Sequence, residues 1–183
     1  MHRLWNYLSR ARRAPNTISK TVKKLKLDRT DFALLRLLRK NARLPNKDLA
    51  ERVGVAPSTA LERVRRLHEA RVLLGYHAEI APAALGIGLQ AMVAVRLTRH
   101  SRELVDSFHE HLLHLDEVLA FYHLAGADDF LVHVGVRDSD HLRDFALSAF
   151  TERPEVAHIE TRLIFEYRRN PALPAFAEPA DDA

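Results

Sequence analysis

The sequence predicts an α+β protein of two small domains. Three observations carry that prediction: three short helical patterns with clear start and stop residues lie between Leu27 and Ala70, strand and helix patterns alternate after that point, and the charge reverses between the two parts. Residues 1–26 hold eight Lys or Arg and no acid, residues 27–75 carry a net +5, residues 76–170 a net −6, and the last thirteen residues three acids and no base. A basic front and an acidic back assign any polyanion binding to the front.

The first helix begins at Asp28, a good N-cap, and Asp31 follows where negative charge favours a helix start. Leu27 and Phe32 occupy the two positions of a hydrophobic staple, and Leu34, Leu35 and Leu38 form an apolar stripe, so a helix is expected over 29–40. Pro45-Asn46 restarts the chain, with Asn46 expected to cap a short helix bearing Leu49, Ala50 and Val53. Gly54 stands where a helix-terminating glycine belongs, and Pro57 suits the first turn of the next helix. Leu61, Val64 and Leu67 are expected on the inner face of that third helix. The tight Gly54-Val55-Ala56 turn between the second and third helices makes a helix-turn-helix arrangement.

Beyond Ala70, Val72–Ile80 reads as a short strand or connector, and Pro82, Gly86 and Gly88 mark a loop. Strand patterns over 89–97, 118–124, 130–136 and 156–167 enclose helical patterns at 102–115 and after Asp138-Ser-Asp140. The order β-α-β-β-α-β is that of a ferredoxin-like plait. The expected divisions are a flexible basic arm over 1–26, the helix-turn-helix domain over 27–75, a connector over 76–88, the plait over 89–168 and a disordered tail over 169–183. Within the arm, a short helix is expected around Trp5, Tyr7 and Leu8.

Composition narrows the function classes. There is no cysteine, so neither disulfides nor thiolate metal sites can form. No run approaches the ~18 apolar residues of a membrane span, and the basic N-terminus lacks the apolar core of a signal peptide. A cytoplasmic protein without membrane association is expected. Two small cores also favour an oligomer whose subunit contacts supply further burial.

On the third helix, steps of about 100° per residue place Ser58, Thr59, Glu62, Arg63 and Arg66 opposite the expected inner face, with Arg65 on the flank. Such a surface suits the major groove of double-stranded DNA. Arg63 or Arg66 can fork onto guanine, Thr59 can touch a base edge or thymine methyl, and Ser58 can meet a phosphate. An ordinary solvated face, with Glu62 and Arg66 paired four residues apart, is the competing reading. The eleven histidines invite a metal reading, especially His109, His111 and His114, but helical spacing spreads those three directions too widely for one ion. No metal and no cofactor are expected. His123 and His133, on consecutive strands, are better placed for ligand contact or pH sensing, against ordinary burial in the sheet.

The ordered motifs Leu27-Asp28…Asp31…Leu34-Leu35, Arg43, Leu49-Ala50…Val53-Gly54-Val55…Pro57-Ser58…Arg63-Val64…Leu67 and Val72-Leu-Leu-Gly75-Tyr76 resemble those of the Lrp/AsnC (leucine-responsive, feast/famine) regulators. So do Pro82…Leu85-Gly86, Gly126-Ala-Asp-Asp129-Phe130-Leu131 and Glu160-Thr161, and the resemblance spans about residues 27–168. It implies a winged helix-turn-helix domain that binds DNA, and a plait domain that binds a small effector, commonly an amino acid. It also implies homodimers that assemble into octamers or larger. The effector-binding residues implied here are Gly126, Ala127, Asp128, Asp129 and Thr161. A glycine turn bares amides for a carboxylate, and an aspartate accepts from an ammonium. Two acids at that loop favour a neutral or basic amino acid over a dicarboxylate, with Asp128 selecting the ligand and Asp129 holding the hairpin. Ala56 departs from the family, which usually has a capping serine there, and the arm lies outside the resemblance.

Two other functions share the architecture. Sirohaem decarboxylases are built similarly, but Gly75-Tyr76-His77-Ala78 does not resemble their linker, and no enzyme is expected. An architectural protein that coats DNA without an effector is the other.

Overall fold

The computed structural model describes residues 25–168 and 176–177, so the expectations for the arm and most of the tail lie outside the described residues. The chain divides into two compact units between Glu79 and Ile80. The first contains α1 (Arg29–Lys40), α2 (Asn46–Val53) and α3 (Pro57–Glu69). Asp28 caps α1 by accepting the Asp31 amide hydrogen at 2.8 Å, and the Asp31 carboxylate accepts from the Asp28 amide in return, closing a capping box. Gly54 ends α2 at φ 72°, a left-handed conformation that glycine reaches without the strain a side chain brings. Leu34, Leu38 and Leu49 centre the core, with Leu37, Leu44, Val53, Val64 and Leu73 packed against them.

Two expectations for these helices need correction. Asn46 is the first residue of α2 rather than its cap; Pro45 holds the cap position, and the Asn46 side chain instead donates to the Pro57 carbonyl at 2.6 Å. On α3 the inward residues are Ala60, Val64 and Leu67, while Leu61 is 60% exposed. Ala56 precedes α3 with no side-chain cap. Residues 72–80 form no strand.

The second unit opens with a 3-10 turn, Pro82–Leu85, followed by β1 (Leu89–Leu97), α4 (Arg102–Leu113), β2 (Val118–His123), β3 (Phe130–Val136), α5 (Ser139–Ala146) and β4 (Val156–Leu163). A π-helical turn, Leu147–Thr151, extends α5. The sheet has the order β2-β3-β1-β4, with every neighbouring pair antiparallel. Alternate residues Ala91, Val93, Val95 and Leu97 of β1, with Phe130, Val132, Val134 and Val136 of β3, face one side and are sealed by Phe108 and Leu112 of α4 and by Leu142, Phe145 and Phe150. Both helices therefore lie on one face. Gly88 allows the chain to enter this sheet. Its amide donates to the Val136 carbonyl, and a Cβ there would come within 2.4 Å of the Arg137 carbonyl oxygen. β4 ends at Leu163, short of the expected Tyr167. Pairing with β1 runs out as the Ile164 amide meets the Gln90 carbonyl, and Phe165 beyond it is 97% exposed.

Candidate DNA-binding and effector sites

The outward side of α3 is narrower in charge than the sequence suggests. With Ala60, Val64 and Leu67 inside, Ser58, Thr59, Leu61, Glu62 and Arg65 are exposed. Arg65 lies 2.9 Å from Glu62 and 3.8 Å from Glu69, and all three are well exposed, so DNA phosphates can compete for the guanidinium. Helix α3 has no acid in its first turn.

Arg63 and Arg66 do not share that surface. Both turn onto the start of α1, where Asp31 is fully buried. One Asp31 oxygen lies 3.0 Å from Arg63 and the other 2.6 Å from Arg66, while Arg63 also pairs with Asp28. Taking Ala60 as the inner mark, Arg63 stands only about 60° away, within reach of α1. Burial pushes the Asp28 carboxyl up, but its hydrogen bonds with Arg63 and the Asp31 amide and the charges of Arg63 and Arg66 outweigh that, leaving it below the usual carboxylate range. Arg63 is raised, chiefly by its bond to Asp28. The expected Glu62–Arg66 pair is replaced by Glu62–Arg65. A signal for this was present: two acids at the start of α1 require cations once one of them is buried.

The loop Gly126–Asp129 joins β2 and β3. Gly126 and Ala127 are exposed, Asp128 is half-buried and Asp129 is buried. Gly126 sits at φ 147°, which favours glycine. Asp129 ties the loop to β1 from both ends of the residue. Its amide donates to the Val95 carbonyl at 2.9 Å, and its Oδ2 accepts from the Leu97 amide at 2.7 Å. Its other oxygen, Oδ1, lies 2.7 Å from Nδ1 of His100, a residue no sequence pattern singled out. Thr161 is exposed on β4 opposite Val93, so β1 separates it from the loop within one chain.

The histidines named above have other partners. His111 Nε2 meets the Ala149 carbonyl at 2.9 Å and its Nδ1 lies 3.2 Å from Arg153, His114 bonds the Glu110 carbonyl, and His109 packs edge-on against Phe121. His123 stacks on Phe130. His133 bonds the Gln90 side chain at 2.8 Å, and burial lowers its pKa below the ordinary imidazole value. Among the described residues no group of three or more His, Asp or Glu side chains is placed to hold a metal ion.

Comparison with known proteins matches residues 27–68 to the AsnC-type helix-turn-helix domain and residues 90–170 to the Lrp/AsnC ligand binding domain. The HTH-type transcriptional regulator AldR of Mycolicibacterium smegmatis is 45% identical over 150 residues, covering 82% of this chain and 88% of that protein. The chain belongs to the Lrp/AsnC family. AldR of Mycobacterium tuberculosis is 43% identical over 84% of this chain and 86% of its own length. Among solved structures, a transcriptional regulator of Neisseria meningitidis in complex with L-Met has a TM-score of 0.75 at 29% identity, over 81% of this chain and 96% of that one. Escherichia coli AsnC has a TM-score of 0.69 at 26% identity, over 82% and 97%. This Lrp/AsnC member is thus a transcriptional regulator with a DNA-binding and a ligand-binding domain, not an enzyme. Among its described residues no helix is long and apolar enough to cross a membrane.

Proposed function

We propose that this regulator reads double-stranded DNA with Ser58, Thr59, Glu62 and Arg65, and that it responds to an amino acid bound at Gly126, Ala127 and Asp128, with Asp129 holding the loop and Thr161 supplied from β4. The observation that carries the DNA reading is the division of the α3 arginines. Arg63 and Arg66 neutralise Asp31, which leaves Arg65 as the α3 arginine outside that cluster, on the exposed surface that also carries Ser58 and Thr59. The basic arm over 1–26 adds phosphate contacts without sequence information. The L-Met complex of the Neisseria relative supports an amino acid as effector. The sheet face away from the helices, which includes the exposed Leu119 and Tyr122, supports a homodimer or larger assembly, and a role on DNA supports the cytoplasm as its place of work.

The test is binding to a duplex from the protein's own promoter beside a scrambled duplex. Arg65→Ala is expected to cost ~1–3 kcal/mol on the specific site and to narrow the ratio of the two affinities. An unchanged ratio removes Arg65 from base readout. Binding with no sequence preference and no response to any amino acid would mark an architectural protein instead.

A further inference from the structure

His100 follows β1 and leads into α4, and its ring is 74% exposed, yet it is anchored to the buried carboxylate of Asp129. The contact is an ion pair rather than an aligned hydrogen bond, and at 2.7 Å from a carboxylate oxygen Nδ1 presents a proton rather than a lone pair. That leaves Nε2 without a partner among the described residues, on a ring held by the same residue that fastens the effector loop to Leu97 through its side chain and to Val95 through its amide. The imidazole is thus both fixed in orientation and open to solvent beside the loop. Asp129, by contrast, has both oxygens occupied, one by the Leu97 amide and one by His100, so it has little left for a ligand.

We propose that His100 is the anion-binding member of the effector site: Nε2 receives the effector's carboxylate, while Asp128 receives its ammonium. This rests on the reading of Gly126–Asp129 as the effector loop. The chemistry has a consequence for protons. With Nδ1–H committed to Asp129, neutral His100 has only a lone pair at Nε2, which repels a carboxylate. Donation from both nitrogens requires the imidazolium. Effector binding therefore takes up a proton wherever free His100 is neutral, and affinity falls as pH rises. Of the charged groups, Asp129 is in contact with the ring; Asp128 adjoins Asp129 in the loop, and Arg99 and Arg102 flank His100 in sequence, with Arg102 3.7 Å from Asp106 on α4.

The experiment uses the full chain. The twenty common L-amino acids are screened by thermal shift, and each one that binds is titrated calorimetrically from pH 6.5 to 8.5. At pH 6.5 its carboxamide is titrated alongside. The wild type is expected to prefer acid over amide about tenfold and to bind the acid progressively more weakly as pH rises. His100→Gln is expected to bind acid and amide alike, with a flat pH profile. Acid-to-amide preference is a ratio within one variant, so a general loss of stability does not move it. If His100→Gln keeps the wild-type preference and pH profile while Asp128→Asn binds at least tenfold more weakly, the role of His100 is overturned and the loop reading stands. If neither substitution alters binding, or no amino acid binds, the loop reading fails and the role of His100 fails with it.

Discussion

Asp31 in the helical unit and Asp129 in the plait unit are the buried charged side chains among the described residues, and their surroundings differ in kind. Asp31 is met by two guanidiniums, permanent cations that reach it from α3. Asp129 is met by a backbone amide and by an exposed imidazole, whose charge depends on pH and on what else approaches it. The first arrangement fixes one helix against another at every physiological pH. The second holds a loop through a partner that a ligand or a proton can alter. The unit that must present a rigid helix to DNA uses the invariant pair, and the unit assigned to ligand binding uses the adjustable one.

The largest effect expected from breaking this contrast is at Asp31. Asp31→Ala removes half of the capping box and the shared partner of Arg63 and Arg66, and should destabilise the helical unit by ~3–5 kcal/mol. Urea unfolding with hydrogen exchange at α1 and α3 measures it, and a loss below ~1 kcal/mol would mean that the cluster is not a brace. An intermediate effect is expected at Asp129. Asp129→Ala strands the Leu97 amide in a buried site and should cost ~1–3 kcal/mol. The exchange signature should be faster Leu97 and Asp129 amides with α1 to α3 unaffected; acceleration in both units would break the comparison.

The smallest effect concerns acid. The carboxyl of Asp28 is held below its ordinary value in the folded chain, so it contributes stability that is fully present above the unfolded pKa. That contribution disappears as pH falls through the lowered folded value, in a window below about pH 4. Asp28→Asn should therefore be less stable than wild type at pH 7 and converge toward it at pH 3, as read from unfolding midpoints. A constant difference across that range would deny Asp28 the linkage.

Much of this protein is legible from local patterns, because capping and periodicity act over a few residues. Asp28 caps α1, Gly54 terminates α2 in the left-handed region, Pro57 opens α3, and the strand and helix order of the plait follows from alternation and 3.6-residue repeats. The errors have a common cause. Leu61 was expected inside because leucine is apolar, but Ala60, Val64 and Leu67 form an equally regular stripe, and only packing against α1 and α2 decides between two stripes that share Val64 and Leu67 and are offset only at Ala60 or Leu61. That offset carried Arg63 and Arg66 from the expected DNA face to Asp31. Asn46, a good capping residue by type, instead met the Pro57 carbonyl, a partner eleven residues away.

By itself the sequence determined the class of the two units, the order of their elements, the charge division that gives the DNA-binding role to the front, and the glycine-aspartate loop as a candidate effector site. The first three rest on composition and on interactions between near neighbours, whereas the loop's role rests on the resemblance to the Lrp/AsnC regulators. Tertiary structure alone decided which arginines remain available on α3, that Asp129 is occupied as a loop anchor, that His100 stands beside it, and that β1 divides Thr161 from the loop. Each of those depends on a contact between residues about thirty or more positions apart. Burial, not spacing, sets such contacts, because a carboxylate withdrawn from water must find its partners wherever the fold brings them.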